Sequence, residues 1–317
     1  MFAENRDALS FDRELRFADL HVHSSCSRKD VLPVALLDPR SLYRKAVERD
    51  LDYVVFTDHD TMDAYDIVGW ERERLVTGVE ISLTDVRQVG HTIHINVYDL
   101  NREQFQDLME IRSQADVMKF TAYCRHSNLP YIYNHPFWFE SGETPNISVI
   151  PEICRLFPVV EYNMHRIRRK NMFAWQLARK YNKGIVATTD THIGEIGKAM
   201  SAARGDTFRE FFANITARNC YLLNQDWTMN NFLEEVDSWI EILYEMARDE
   251  SMGNKLSENP TIYRVRKLFT QPTLNWFPRL IQHTKRKSLR PFLNLYFWLQ
   301  GRESRRIGHQ LNQITWN

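Results

Sequence analysis

The chain of 317 residues has little of several things, and each shortage narrows what it can be. Its four cysteines, Cys26, Cys124, Cys154 and Cys220, form no CxxC pair. A chain this long needs no disulfide staples, and no thiolate cage for structural zinc is on offer, so a reducing cytoplasm is the expected setting. Eleven glycines and eleven prolines are too few for a fibrous or low-complexity chain. No run of about 18 residues is apolar without charge, so an integral membrane protein is not expected. The charged N-terminal stretch, residues 1–16, has no apolar region of the kind a secretory signal carries. Charge of one sign is not in excess either: 41 Lys and Arg stand against 41 Asp and Glu. Nucleic acid is not excluded as a partner, but it would need a local patch.

What is present is ordinary for a globular protein, 43% hydrophobic and 26% charged residues. Short β-rich runs ending in polar residues recur at Phe17–Val22, Tyr53–Thr57, Val76–Ile81, Thr92–Tyr98, Tyr131–Asn134, Val159–Asn163 and Ile185–Thr189. Helical periodicity lies between several of them, at Pro39–Arg49, Gln106–Ser127, Ile147–Leu156 and Arg168–Tyr181. The alternation predicts an α/β fold with a largely parallel sheet. Because polar residues gather where the strands end, a closed or nearly closed barrel is the better expectation, with its active site at that end. A helix at Asp206–Asn219 and the apolar run Cys220–Leu223 are expected to complete the domain.

From about Asn224 the strand punctuation stops and a helical C-terminal extension is expected. The division is then residues 1–16 as an N-terminal segment, 17–223 as the barrel and 224–317 as the extension. Between Asp226 and Glu258 nine acidic residues face only Arg248 and Lys255, whereas eleven basic residues beyond face only Glu303. The basic part also carries Trp276, Phe277, Phe292, Tyr296, Phe297 and Trp298. Packing on the barrel or on the acidic helices is the expected role, since one face of such helices must be buried. An oligomer contact or an anionic surface is the alternative.

The chemistry is carried by strand ends. His21 and His23 in DLHVH alternate around Val22, so both imidazoles point to one side. The same event recurs at Asp58, His59 and Asp60 in TDHD, Glu80 in GVE, His94 in IHI, His135 in NHP, and Asp190 and His192 in TDTH. One such histidine is ordinary packing; the repetition with interleaved carboxylates is metal-site chemistry. Imidazole and carboxylate without thiolate suit Zn²⁺, Mn²⁺ or Fe²⁺ in a hydrolytic site. Glu80 and Asp190 are candidates to bridge two ions, as in two-metal phosphatases. His91, three residues before His94, is expected in a loop or on the surface. Either Asp58 or Asp60 could orient the ring of His59.

In their order, DLHVHSSCS, FTDHDT, GVEIS, IHINVYDL, NHPF and TTDTHIG resemble the polymerase and histidinol phosphatase (PHP) family of metal-dependent phosphoesterases, over Phe17 to Leu223. The resemblance implies a distorted seven-stranded (β/α) barrel holding two or three ions of Mn, Zn or Fe. It assigns His21, His23, Glu80 and Asp190 to the first ion, Glu80, His94 and His135 to the second, and His59 and His192 to the third. The family's remaining ligand for the third ion falls at Arg28 here, with Asp30 two residues on as the substitute if the loop bulges.

The expected activity is hydrolysis of a phosphate ester of a small substrate, a nucleotide, sugar phosphate or similar, a monoester before a diester. A metal-held hydroxide is the expected nucleophile, and His192 or Asp60 the proton donor to the leaving oxygen. Cations for the phosphate come from Arg28, Arg166, Arg168, Arg169 and Lys198, which follow strand ends, although His165–Lys170 also reads as the solvated start of a helix. The alternatives are a metal- or nucleotide-binding module without turnover, which the complete first two ligand sets disfavour, and C–N bond hydrolysis as in amidohydrolases, for which no strand-end lysine is present.

Overall fold

The computed structural model describes residues 1–85, 87–140, 142–224 and 227–248, the positions 276, 280 and 284, and residues 289–315. It is an α/β fold with two mixed sheets. The strands are β1 (Phe2–Ala3), β2 (Leu15–Asp19), β3 (Tyr53–Val55), β4 (Leu75–Val76), β5 (Gly78–Asp85), β6 (His91–Tyr98), β7 (Tyr131–Tyr133), β8 (Val159–Asn163), β9 (Gly184–Thr188), β10 (Met200–Arg204) and β11 (Cys220–Leu223). One sheet runs β1-β11-β10-β2-β3-β4 and the other β5-β6-β7-β8-β9. Isolated parallel bridges join their chain continuations at Val22 to Thr191 and at His59 to Glu80. The two sheets therefore meet at the ends of β2 and β9 and beside β3 and β5.

The largely parallel sheet expected from the alternation is corrected. β10 runs antiparallel to both β2 and β11, and β6 runs antiparallel to β5 and β7. The sequence of β10, MSAAR, has no β-branched or aromatic residue, and pairing on both edges overrides that weak propensity. The helix expected over Gln106–Ser127 is two helices, α3 (Arg102–Ser113) and α4 (Val117–His126). Ala115 at φ 52° breaks them apart, and Asp116 caps the second through the N–H of Lys119.

Elsewhere local chemistry explains the elements. Asp38 caps α1 (Pro39–Glu48), whose first position is the proline that helix starts favour. Capping boxes open α3 at Asn101 and Gln104 and α7 (Phe208–Thr216) at Thr207 and Glu210. α7 buries Phe208, Phe211, Phe212 and Ile215 against Ala18, Leu20 and Tyr98. Gly205, at φ 146°, lets the chain turn into α7 so closely that a Cβ there would lie 2.2 Å from the Phe211 nitrogen. Among the described residues the other helices are α2 (Asp63–Val68), α5 (Ile150–Leu156), α6 (Arg168–Lys180), α8 (Met229–Arg248) and α9 (Arg290–Thr315). α9 packs against α6 and the turn at Ile147–Val149, and buries Leu293, Ile307 and Leu311. Among the described residues no helix is long and apolar enough to cross a membrane. Of the acidic part expected over 226–258, residue 226 and residues 249–258 lie outside the described residues, and of the basic part beyond it residues 259–275 and most of 277–288 do.

Candidate metal centre

The strand ends bring their polar residues to one buried place. Asp19 ends β2 and accepts from the N–H groups of Thr189 and Gly197 and from the Thr189 hydroxyl, which ties the β2 end to the β9 end. Past that tie, His21 Nε2 and His23 Nε2 stand 3.1 Å apart. Glu80 Oε2 is 3.1 Å from both nitrogens, and Asp190 Oδ1 is 3.2 and 3.3 Å from them. Ligands bonded at about 2.0–2.1 Å to one ion are separated from their neighbours by about 3 Å, which these spacings match.

The other oxygen of Glu80 faces a second group: Oε1 is 3.0 Å from His94 Nδ1 and 3.5 Å from His135 Nε2. Asn134 Nδ2 donates to the same oxygen at 2.7 Å. A third group lies toward solvent, where Asp30 Oδ2 is 2.9 Å from His59 Nε2 and 3.1 Å from His192 Nε2. The His23 ring packs against the rings of both His59 and His192, with centroids 4.6 and 4.4 Å away. Among the described residues four groups of side chains could hold a metal ion: His23, Asp30, His59 and His192; His21, His135 and Glu161; His21, His23 and Asp190; and His59, Glu80 and His94.

The donors fit divalent ions on chemical grounds as well. Glu80, Asp190 and the histidines His21, His23, His94 and His135 are buried, and burial of ionisable groups is costly unless charge balances charge. Burial works against protonation of His23 and His94, but facing carboxylates outweigh it and push them up to about 10 and about 9. Burial likewise opposes ionisation of Glu80 and Asp190, yet His21 and its neighbours hold both carboxyls well below their ordinary range. For His135 burial prevails and its pKa falls. His59 Nδ1 and His94 Nε2 are buried without an aligned hydrogen bond, the first 3.3 Å from Glu80 Oε2 and the second 3.4 Å from Glu140 Oε1. Burial pushes the Cys26 thiol up to about 11 and all four cysteines are free, so no thiolate enters the donor set.

Supporting groups include several that the sequence reading did not name. Glu161 on β8 is buried, with Oε1 2.6 Å from His21 Nδ1 and Oε2 accepting the His135 N–H at 2.7 Å. A carboxylate only accepts, so Nδ1 of His21 carries a proton. Burial opposes protonation of the ring, but Asp190, Glu80 and Glu161 hold its pKa well above the ordinary range, so Nε2 gives up its proton only to a ligating ion. Asn163 donates to Asp190 Oδ2 at 2.9 Å, and Arg166 to the same atom at 3.1 Å, which leaves Oδ1 for the histidines. The strand Val-Val-Glu-Tyr-Asn places Glu161 and Asn163 on one face, as Leu-His-Val-His places His21 and His23; that alternation was the available signal. Non-glycine residues with positive φ sit at the centre, His135 at 25° and Asp190 at 52°, a strain that surrounding contacts must hold.

The other expected residues lie as follows. Arg28 is exposed and reaches Asp63 at 3.2 Å, while Asp30 occupies the third group. Asp58 accepts from the N–H and hydroxyl of Ser24, and Asp60 from the N–H of Ser82 and from Arg112, so Asp58 holds the loop after β2 and Asp60 ties β5 to α3. His91, expected in a loop or on the surface, is buried at the start of β6, where its Nδ1 accepts from Asn146. It is no part of the cluster. Arg168 begins α6 exposed, and Lys198 pairs with Glu195.

No protein-family model matches this chain, and no curated protein matches it significantly. Among solved structures, PsfC from Pseudomonas syringae superposes with a TM-score of 0.50 at 16% identity, over 72% of this chain and 97% of PsfC. At that identity the likeness is one of fold. The lesion-specific endonuclease EndoQ from Pyrococcus furiosus gives a TM-score of 0.46 at 11% identity, over 70% of this chain and 66% of its own. A candidate metal-dependent phosphoesterase from Bifidobacterium adolescentis gives 0.40 at 14% identity, over 72% and 95%. These two are too loose to carry an argument.

Proposed function

We propose that this chain is a metal-dependent phosphoesterase of the PHP type, acting on a phosphomonoester before a diester, with residues 17–223 as its catalytic unit. In this reading β2, β3 and β5 to β9, with the two bridges between the sheets, form a distorted seven-stranded barrel whose strand ends carry the centre. The observation that carries the proposal is Glu80, whose two oxygens face two different histidine groups, Oε2 toward His21 and His23 and Oε1 toward His94 and His135. A carboxylate so placed would offer a donor to each of two ions.

His21, His23, Glu80 and Asp190 would hold one ion, Glu80, His94 and His135 a second, and Asp30, His59 and His192 a third. Bound there, divalent ions supply Lewis acidity and an acidified water to a phosphoryl group. The chain supplies the rest. Glu161 and Asn163 fix the orientation of His21 and Asp190. Arg166 spends one nitrogen on Asp190 while its Nε is buried without a partner, a donor suited to a phosphate oxygen. His192 and Asp30 are the more exposed members of the centre, so ester and leaving alcohol approach from their side. His192 is the candidate to give the leaving oxygen its proton only while no third ion is bound, since an ion there would take its Nε2 and its Nδ1 faces the Asp190 carbonyl. Asp60, the other candidate, is engaged by Ser82 and Arg112.

The test is reconstitution of stripped protein with Mn²⁺, Zn²⁺ or Fe²⁺, a screen of phosphomonoesters and diesters, and elemental analysis of Glu80→Gln. Hydrolysis by the loaded protein, with at least half of the bound metal lost from Glu80→Gln, is expected. No hydrolysis of any ester together with undiminished metal in Glu80→Gln would overturn the proposal.

A further inference from the structure

α9 is held to the rest of the molecule along one face. Leu293, Ser304, Ile307 and Leu311 are buried there, Glu303 pairs with Lys170 at 2.9 Å, and Tyr296 and Phe297 pack on Trp227. Gly308 comes so close to α6 that a Cβ there would lie 3.0 Å from the Phe173 ring. These contacts fix the rotation of the helix and so decide what its other face carries. Phe292, Leu295, Leu299, Arg302 and Arg306 follow one another at intervals of three and four residues, which sets them in one stripe. Trp298 and Arg305 flank it. All seven are exposed, with Phe292 at 72% and Leu295, Trp298 and Leu299 at 53%, 52% and 48%.

The stripe has two parts of different chemistry. Its first turns are aliphatic and aromatic and its next are cationic, with the Arg302 guanidinium 4.8 Å from the Trp298 ring centroid. Leaving four large apolar side chains side by side in water is unfavourable, and a patch of this kind on a folded domain marks a surface that meets something. Charge constrains what that is. Glu303 is the one acidic residue of α9 and is spent on Lys170, so a second copy of this helix would bring arginine to arginine or to leucine with no carboxylate between. A nucleic-acid strand would answer the arginines and the two rings, but would set Leu295 and Leu299 against sugar and phosphate. An anionic bilayer answers every group: leucine and phenylalanine enter the acyl boundary, tryptophan settles at the interface, and arginine stems lie on apolar surface while their heads reach lipid phosphates. α9 is not long and apolar enough to cross a bilayer, so it would lie in the plane of the surface.

We propose that the outer face of α9 docks this protein on a membrane surface rich in anionic phospholipid. The proposal is independent of the metal centre. The test is sedimentation of the full chain with vesicles of phosphatidylserine and phosphatidylcholine in equal parts, and with vesicles of phosphatidylcholine alone. Partition onto the anionic vesicles is expected to exceed that onto neutral ones at least tenfold and to fall as salt is raised, since each cation near an anionic surface accounts for about fivefold. Two variants locate the contact. Phe292→Gln with Leu295→Gln and Leu299→Gln removes the apolar part, and Arg302→Gln with Arg306→Gln removes charge. Each is expected to lose about tenfold or more in partition onto anionic vesicles, with native far-ultraviolet circular dichroism because all five positions are exposed. The four native cysteines are buried, so a polarity-sensitive dye on Leu295→Cys reports that position alone, and its emission is expected to shift to the blue on anionic vesicles. No partition onto anionic vesicles, equal partition onto both compositions, undiminished partition in both variants, or an unshifted dye would overturn the proposal. So would a dimer in lipid-free solution that the triple variant dissociates, or binding of a single-stranded oligonucleotide that both variants lose while vesicles stay unbound.

Discussion

His21 turns its Nδ1 to the buried carboxylate of Glu161 at 2.6 Å, and this leaves Nε2 aimed between Glu80 and Asp190. Carboxylates that orient a metal-bound imidazole in this way commonly account for ten- to hundredfold in metal affinity. Glu161→Gln is therefore expected to weaken binding of the first ion by about ten- to hundredfold, while the far-ultraviolet circular dichroism stays native. Isothermal titration of stripped protein with Mn²⁺ or Zn²⁺ measures it, and an affinity equal to wild type would remove Glu161 from the centre.

Asp30 and Arg28 make opposite predictions although they are two residues apart. Asp30→Ala should lose the ion held with His59 and His192, read as one fewer equivalent per chain by elemental analysis. Arg28→Ala should retain full metal content and change stability by no more than about 0.5 kcal/mol, because its pair with Asp63 is solvated. Loss of metal in Arg28→Ala would show that position 28, and not 30, serves the third group.

Metal uptake should release protons at neutral pH. With the metal absent, His23 and His94 hold their protons up to about 10 and about 9, since neighbouring carboxylates outweigh the burial that favours the neutral ring. A raised pKa in the folded state means that the proton stabilises the metal-free fold at neutral pH, a contribution lost as pH rises through those values. An ion must displace these protons, so apparent affinity should rise with pH between 7 and 9. Titrations in buffers of different ionisation enthalpy count the protons; a count of zero at pH 7 would contradict the arrangement.

Away from the centre, Gly205→Ala tests the turn into α7. An added Cβ would meet the backbone nitrogen of Phe211 at 2.2 Å in a conformation that side chains rarely adopt. A loss of about 1–3 kcal/mol is expected, seen as a lower Tm, with metal stoichiometry of the folded protein unchanged. A melting temperature equal to wild type would show that the turn can relax.

The sequence by itself determined the donors. Alternation along an extended strand forces His21 and His23 to one side whatever surrounds them, and the same ending on successive strands marks where chemistry collects. Helix starts were equally local, since a capping side chain and the backbone it caps are neighbours in the chain. What the tertiary structure decided depends on groups far apart in sequence. Glu161 looked like any polar residue on a strand until folding set it against His21, 140 positions away. Asp30 displaced Arg28 because the loop winds back on itself, with the Val31 N–H donating to the Ser27 carbonyl, and so returns residue 30 to His59. β10 forms because β2 and β11 flank it, not because its own residues favour a strand. The partners of an orienting carboxylate, a wound loop or a paired strand are fixed by contact, and contact is what residue order alone does not specify.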